Sequence, residues 1–267
     1  MRKKQNQLTV VIRTNEERTI ELIHQTVSDQ VPAENIRVIN EKPFFKAVQK
    51  TFEIGSQNDS PYLLALDGDI LLFPEAVQYM IYEAGKYKRD DFFRIDFPIF
   101  DKFRGRATGV HFYNNRYARK FLDFLDTREH GTAFLRPEFE NVEAFSKKYS
   151  LSYQNIPHFI VAKHDYFQYY RDIFNKYILR RKRGIRDNWF GKLVSIVKQK
   201  SLQNLDDLDY AIALEALLQD ETELPAIEVL FEKYGIEEKR ELPETAYPFI
   251  RETLAQNKIM SKLWRRE

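Results

Sequence analysis

The chain has 267 residues, enough for one large core or for a domain with a helical appendage. Hydrophobic residues make up 43% and aromatic residues 14%, which excludes a disordered chain; with no cysteine, disulfides, thiolate metal sites and a cysteine nucleophile are excluded too. A formal net charge of +2 hides an uneven distribution: residues 171–200 carry ten basic against two acidic side chains, and residues 201–267 carry eight against fifteen.

The basic start, Met1 to Gln7, runs into Leu8-Thr9-Val10-Val11-Ile12, which is too short for a signal-peptide core or a membrane span. The expectation is a cytoplasmic protein. The β-branched run itself reads as a first buried strand. It ends in Arg13-Thr14-Asn15-Glu16, and a helical pattern follows from about Arg18 to Gln30, with Ile20, Ile23 and Val27 on one face. Val31-Pro32 stops it, and residues 35–40 supply a second strand. Strand, helix and strand within about forty residues form a βαβ unit, so the two strands pair in parallel. A second helix opens at Pro43 and carries Phe45, Val48 and Phe52.

The most informative stretch comes next. The apolar run Tyr62-Leu63-Leu64-Ala65-Leu66 ends in Asp67-Gly68-Asp69, followed by Ile70-Leu71-Leu72-Phe73-Pro74. Unbroken apolar strands belong to parallel sheets covered on both faces, and such sheets bind ligands beyond the carboxyl ends of their strands. The loops after the first three strands therefore share one edge, holding Arg13, Thr14, Asn15 and Glu16, then Asn40 and Glu41, then Asp67 and Asp69. Two carboxylates at such an edge repel each other unless a cation lies between them. The chemistry suggested is a divalent metal shared with the phosphates of a ligand.

A helix then runs through Ala76, Met80, Ile81 and Ala84. Extended segments follow over 92–101 and 109–113, and an amphipathic helix over 115–125. Leu135-Arg136-Pro137-Glu138-Phe139-Glu140 leads into a helix to about Tyr149. A further apolar strand, from Phe159, ends in Lys163-His164-Asp165, after which Tyr166, Tyr169, Tyr170 and Ile173 mark a helical face. Arg180-Arg181-Lys182-Arg183-Gly184 reads as a hinge-like basic run, and the remainder is helical, including residues 206–218, 224–234 and 246–263.

Asp67-Gly68-Asp69 after a buried strand resembles the Asp-x-Asp motif of GT-A-fold glycosyltransferases, especially the family 2-like group, and the resemblance covers residues 8 to about 175 in order. It implies an α/β, GT-A-like (Rossmann-like) mostly parallel sheet flanked by helices over residues 1–180, with an α-helical C-terminal region over 181–267. It implies a metal-dependent transfer of a sugar from a UDP- or GDP-linked donor to a hydroxyl of a glycan or lipid-linked acceptor. The cation, Mn²⁺ or Mg²⁺, would be held by Asp67, Asp69 and a late histidine, for which His164 matches by type and order. Arg13, Thr14, Asn15, Glu16, Asn40, Lys46, Asp67 and Arg171 would face the donor. Arg13 stands where the family has proline, and Asn40 and Glu41 where it often has aspartate. Glu138 or Glu140 would be the general base of an inverting enzyme, and spacing does not separate them.

Three other readings compete. A nucleotidyl or sugar-phosphate transferase could use a similar sheet, and a non-catalytic module could bind a nucleoside diphosphate. A haloacid dehalogenase-type phosphatase also opens on Asp-x-Asp, but with Thr or Val where this chain has Leu71, and near the N-terminus, whereas 66 residues precede Asp67 here. The basic block pairs by default with the acidic tail. The same run, Arg180 to Arg183, could touch an anionic membrane from the cytoplasmic side, at about 1 kcal/mol per basic residue. No zinc spacing or helix-turn-helix pattern accompanies it, so nucleic acid is not expected.

Overall fold

The computed structural model describes residues 7–128, 137–156, 158–219 and 227–238, together with 241, 242, 246 and 252. The helix expected over 246–263 lies outside the described residues except at 246 and 252.

The sequence expectation of an α/β chain with a mostly parallel sheet is what the structure has. Among the described residues an eight-stranded sheet forms from β1 (Leu8–Arg13), β2 (Ile36–Ile39), β3 (Tyr62–Asp67), β4 (Ile70–Leu72), β5 (Phe92–Asp101), β6 (Gly105–Asn114), β7 (Ser152–Asn155) and β8 (Ala162–His164). The order is β2-β1-β3-β6-β5-β8-β4, with β7 also on β5. β1 pairs in parallel with β2 and β3, and β5 in parallel with β7 and β8; β6 and β4 run against their neighbours. The β5–β6 register shifts between Phe97 and Pro98, where proline has no N–H to give the ladder.

The continuous apolar runs follow from cover on both faces. Val10, Ile12, Leu64, Leu66, Phe97 and Phe112 pack under α1 (Ile20–Ser28) and α3 (Ala76–Ala84). Val11, Leu63, Ala65, Phe93 and Tyr113 pack under α2 (Phe44–Ser56), α4 (Ala118–Asp126) and α5 (Pro137–Lys148). Successive side chains of a strand point to opposite faces, so β1 and β3 are apolar almost throughout, Thr9 being the buried polar exception before their ends.

Beyond β8 the described elements are all helices: α6 (Tyr170–Arg186), α7 (Phe190–Gln203), α8 (Leu208–Leu218) and α9 (Ile227–Tyr234). They bury their own cluster, including Ile173, Tyr177, Leu193, Val197, Ala213 and Leu217. Two local expectations change. The helical face predicted from Tyr166 starts only at Tyr170, because Asp165 and Phe167 have φ of 65° and 59°, outside the helical region. The basic run at 180–184, read as hinge-like, lies inside the C-terminal half of α6, so the helix is continuous there.

Candidate active site

β1, β2 and β3 are parallel, so the segments after them meet at one edge, as the sequence predicts. The first of these is laced to the third: Thr14 Oγ1 and the Asn15 amide donate to Glu17 Oε2 at 2.7 and 2.8 Å, and Thr19 Oγ1 donates to the Gly68 carbonyl at 2.6 Å. The Gly68 amide in turn donates to the Arg13 carbonyl at 2.8 Å. A Cβ at Gly68 would stand 2.3 Å from Glu17 Oε2, so the glycine of the Asp-Gly-Asp turn makes room for the Glu17 carboxylate where it is held. Asn40 donates to Glu16 Oε1 at 3.2 Å on the exposed rim, and Lys46 is exposed in the first turn of α2.

The two aspartates of the motif part company. Asp67 ends β3 beside β1, and its Oδ1 accepts from Arg13 Nε at 2.9 Å. The chain then enters β4, which pairs with β8 rather than with β3, so that Ile70 lies opposite His164. That register carries Asp69 to the end of β8. Asp69, His164 and Asp165 offer ligand atoms within 4.8 Å of one another, and Asp67 is not among them. His164 Nε2 is 3.4 Å from Asp69 Oδ2, while its Nδ1 faces Asp101 Oδ2 at 3.2 Å.

Helix α6 supplies the counter-charge through Lys176 and Arg180, one turn apart and so on one face. Lys176 Nζ bonds both Asp69 and Asp165, and Arg180 Nη2 bonds Asp165 at 2.9 Å and Asp101 at 3.2 Å. Burial works against ionising Asp69, but Lys176 and His164 outweigh it and hold the carboxyl well below its usual range. Burial also disfavours a charged His164; Asp165 and Asp69 overcome it and push the imidazole up to about 10. Arg180 is 7% exposed and spoken for, so this member of the basic run is not available to a membrane surface.

The donor set suits a divalent cation. Two carboxylates and an imidazole are ligands of the right kind, the other ring nitrogen of His164 is oriented by a carboxylate, and Asp69 Oδ1 is buried without a hydrogen-bond partner. Such an ion would displace the proton of His164 and the ammonium of Lys176.

A second polar cluster lines the neighbouring face. Arg13 Nη1 lies 2.9 Å from Glu138 Oε2, and Tyr113 donates to Glu138 Oε1 at 2.7 Å. Burial alone would raise Glu138; Arg13, together with the hydrogen bond from the Tyr113 hydroxyl, holds its carboxyl down to about 2. Glu140 instead accepts from Arg186 at the end of α6, at 2.9 Å. Arg171 is exposed and pairs with Glu228 of α9 at 3.0 Å. Beside Glu138, Arg94 and His111 both face Asp96, with His111 Nδ1 at 2.7 Å.

Thus the structure brings Arg13, Asp67 and Glu138 into one group and Asp69 and His164 into another, and leaves Lys46, Glu140 and Arg171 outside both. Sequence reasoning missed Lys176, Arg180, Asp101, Arg94 and Asp96. The signal for the first two was legible: Asp172, Lys176 and Arg180 form a polar stripe at four-residue spacing, running directly beside the buried apolar stripe of Ile173, Phe174 and Tyr177.

No family model matches the chain, and no curated protein does. Among solved structures it is similar to a glycosyltransferase involved in the glycosylation of the major capsid of PBCV-1, at 13% identity and a TM-score of 0.41, over 58% of this chain and 93% of that one. It is similar to A197 from STIV, at 13% identity and a TM-score of 0.36, over 59% and 95%. It is similar to the glycosyltransferase GlyE of Streptococcus pneumoniae TIGR4, at 11% identity and a TM-score of 0.34, over 88% and 66%. Likenesses this distant give no residue-by-residue correspondence, and what the site can do rests on this chain's own side chains.

Proposed function

We propose that the chain is a metal-dependent glycosyltransferase of GT-A type, family 2-like, that moves a sugar from a UDP- or GDP-linked donor to a hydroxyl of a glycan or lipid-linked acceptor. The observation that carries this is the convergence of Asp69, His164 and Asp165 at the sheet edge where the segment after β1 and Asp67 also lie, with Asp69 Oδ1 buried and unpaired.

In this reading Asp69, His164 and Asp165 hold Mn²⁺ or Mg²⁺, which when bound supplies Lewis-acid neutralisation of the departing diphosphate. Lys176, released from the carboxylates, keeps a positive charge beside the phosphates. Arg13 fixes Asp67 by a charge-assisted bond, and the Asp67 side chain, 41% exposed, accepts from the donor's ribose hydroxyls. Arg180 holds Asp165 and, through Asp101, the ring of His164.

Thermal shift with nucleoside diphosphates, with and without Mn²⁺, tests the reading. Metal-dependent stabilisation by UDP or GDP, together with slow hydrolysis of the corresponding sugar nucleotide, is the expected result. Stabilisation by nucleoside triphosphates alone would favour nucleotidyl transfer, and stabilisation without turnover would leave a binding module. No helix among the described residues is long and apolar enough to cross a membrane.

A further inference from the structure

Glu138 occupies the place in the chain where the sequence suggests a general base, yet its chemistry is unsuited to the task. Both oxygens are engaged, one by Arg13 and one by Tyr113, and a carboxyl held down to about 2 has little affinity for a proton near neutrality.

His111 lies next to it. This residue sits on β6, opposite Ala65 of β3 and opposite Asp96 of β5. Ala65 precedes Asp67 by two positions, so His111 stands on the face that leads to the Asp67–Arg13–Glu138 group. Its Nδ1 is 2.7 Å from Asp96 Oδ1. Asp96 is itself fixed by Arg94, at 3.0 Å, and by the Tyr153 hydroxyl, which donates to Oδ2 at 2.7 Å. Burial works against its ionisation, but His111 and Arg94 outweigh that and keep it ionised. An ionised carboxylate only accepts, so the imidazole proton belongs on Nδ1 and the lone pair on Nε2. Among the described residues nothing bonds Nε2, and the side chain keeps 23% exposure.

We propose that His111 is the general base of the transfer, with Asp96 as the residue that positions it. This rests on the transferase reading above. Nε2 takes the proton of the acceptor hydroxyl as that oxygen forms its bond to the anomeric carbon. The bond from that carbon to the diphosphate breaks, and its electron pair leaves on the diphosphate oxygen. The proton ends on Nε2, and the imidazolium so formed faces the negative charge of Asp96. This is the base that an inverting displacement needs.

The test uses the full chain with Mn²⁺, with hydrolysis of UDP-glucose and GDP-mannose as the probe reaction and calorimetry of UDP and GDP as the binding readout. His111→Gln should lower kcat by about 100-fold while leaving the affinity for the nucleoside diphosphate unchanged, and should remove the acid limb of the pH–rate profile. Asp96→Asn should retain part of the activity with that limb displaced. The groups facing the ring, Asp96 and Arg94 of β5, Tyr113 of β6, Glu138 of α5 and Tyr153 of β7, stay in place in His111→Gln. A kcat within about threefold of wild type at every pH overturns the proposal and leaves the transferase reading standing. Independent of any variant, nitrogen NMR of the wild-type chain should find His111 protonated on Nδ1 and bare on Nε2; the opposite tautomer overturns the proposal. If the wild type binds neither UDP nor GDP with Mn²⁺, the transferase reading falls and the base falls with it.

Discussion

The ammonium of Lys176 bonds the carboxylate of Asp69, a residue 107 positions earlier in the chain. It bonds Asp165 as well, so two buried carboxylates that would repel each other share one cation supplied by helix α6. The arrangement makes α6, which lies in the basic stretch of the sequence, part of the site.

Lys176→Met should therefore destabilise the metal-free protein. Removing one member of a buried ion cluster leaves uncompensated charge and costs about 3–5 kcal/mol. Added Mn²⁺ should restore part of this, since it takes the same carboxylates. Urea unfolding with and without MnCl₂ measures both effects; a variant as stable as wild type in chelator would contradict this account of the cluster.

Asp69→Asn keeps the volume and removes the charge. Transfer should fall by about 100-fold or more, and calorimetric Mn²⁺ binding should weaken, with the protein still folded by circular dichroism. Full activity in metal-replete buffer would defeat the assignment of Asp69 as a ligand.

Arg13→Met should cost about 3–5 kcal/mol as well, because it strands Glu138 in the interior without a counter-charge. Arg13→Met/Glu138→Gln should recover a large part of that loss, which a double-mutant cycle in urea would show as coupling between the two positions.

The pH dependence follows from the same pair. The Glu138 carboxyl is lowered from 4.5 to about 2 in the folded chain. A depressed acid contributes stability that is fully present above the unfolded value and is lost as pH falls through the folded one. The window is thus 4.5 down to about 2, and the contribution at neutral pH is about 3 kcal/mol. Urea midpoints of wild type and Glu138→Gln, measured across that window, should converge as the pH drops.

In the core, Phe93 is fully buried and its ring lies 4.6 Å from that of Phe145 and 4.9 Å from that of Phe121, centroid to centroid. Phe93→Ala should cost about 3–5 kcal/mol, read as a lower urea midpoint with an unchanged slope, and Phe93→Leu should cost clearly less.

Much of the layout was legible in the sequence because it is written in local pattern. The apolar runs at 8–12 and 62–66 could only be strands covered on both faces, and the spacing of Ile23 and Val27 or of Val48 and Phe52 fixed the helices between them. The βαβ arithmetic then put the segments after β1, β2 and β3 on one edge. The departure at Tyr166–Tyr169 was not legible, since two consecutive polar-aromatic turns of helix and a kinked connection with positive φ at Asp165 and Phe167 have the same composition.

The site itself divides along the same line. The sequence alone determined that two aspartates stand at the end of a buried strand and that a histidine ends a later one, because strand ends are where burial stops dictating apolar residues. Only the tertiary structure decided that these aspartates separate, Asp67 to Arg13 and Asp69 to His164 and Lys176. It decided too that Glu138 is paired with Arg13 and Tyr113 while His111 is oriented by Asp96. Those partnerships depend on β4 pairing with β8 and on the register of β3 with β6, and registers between strands tens of residues apart leave no trace in local periodicity.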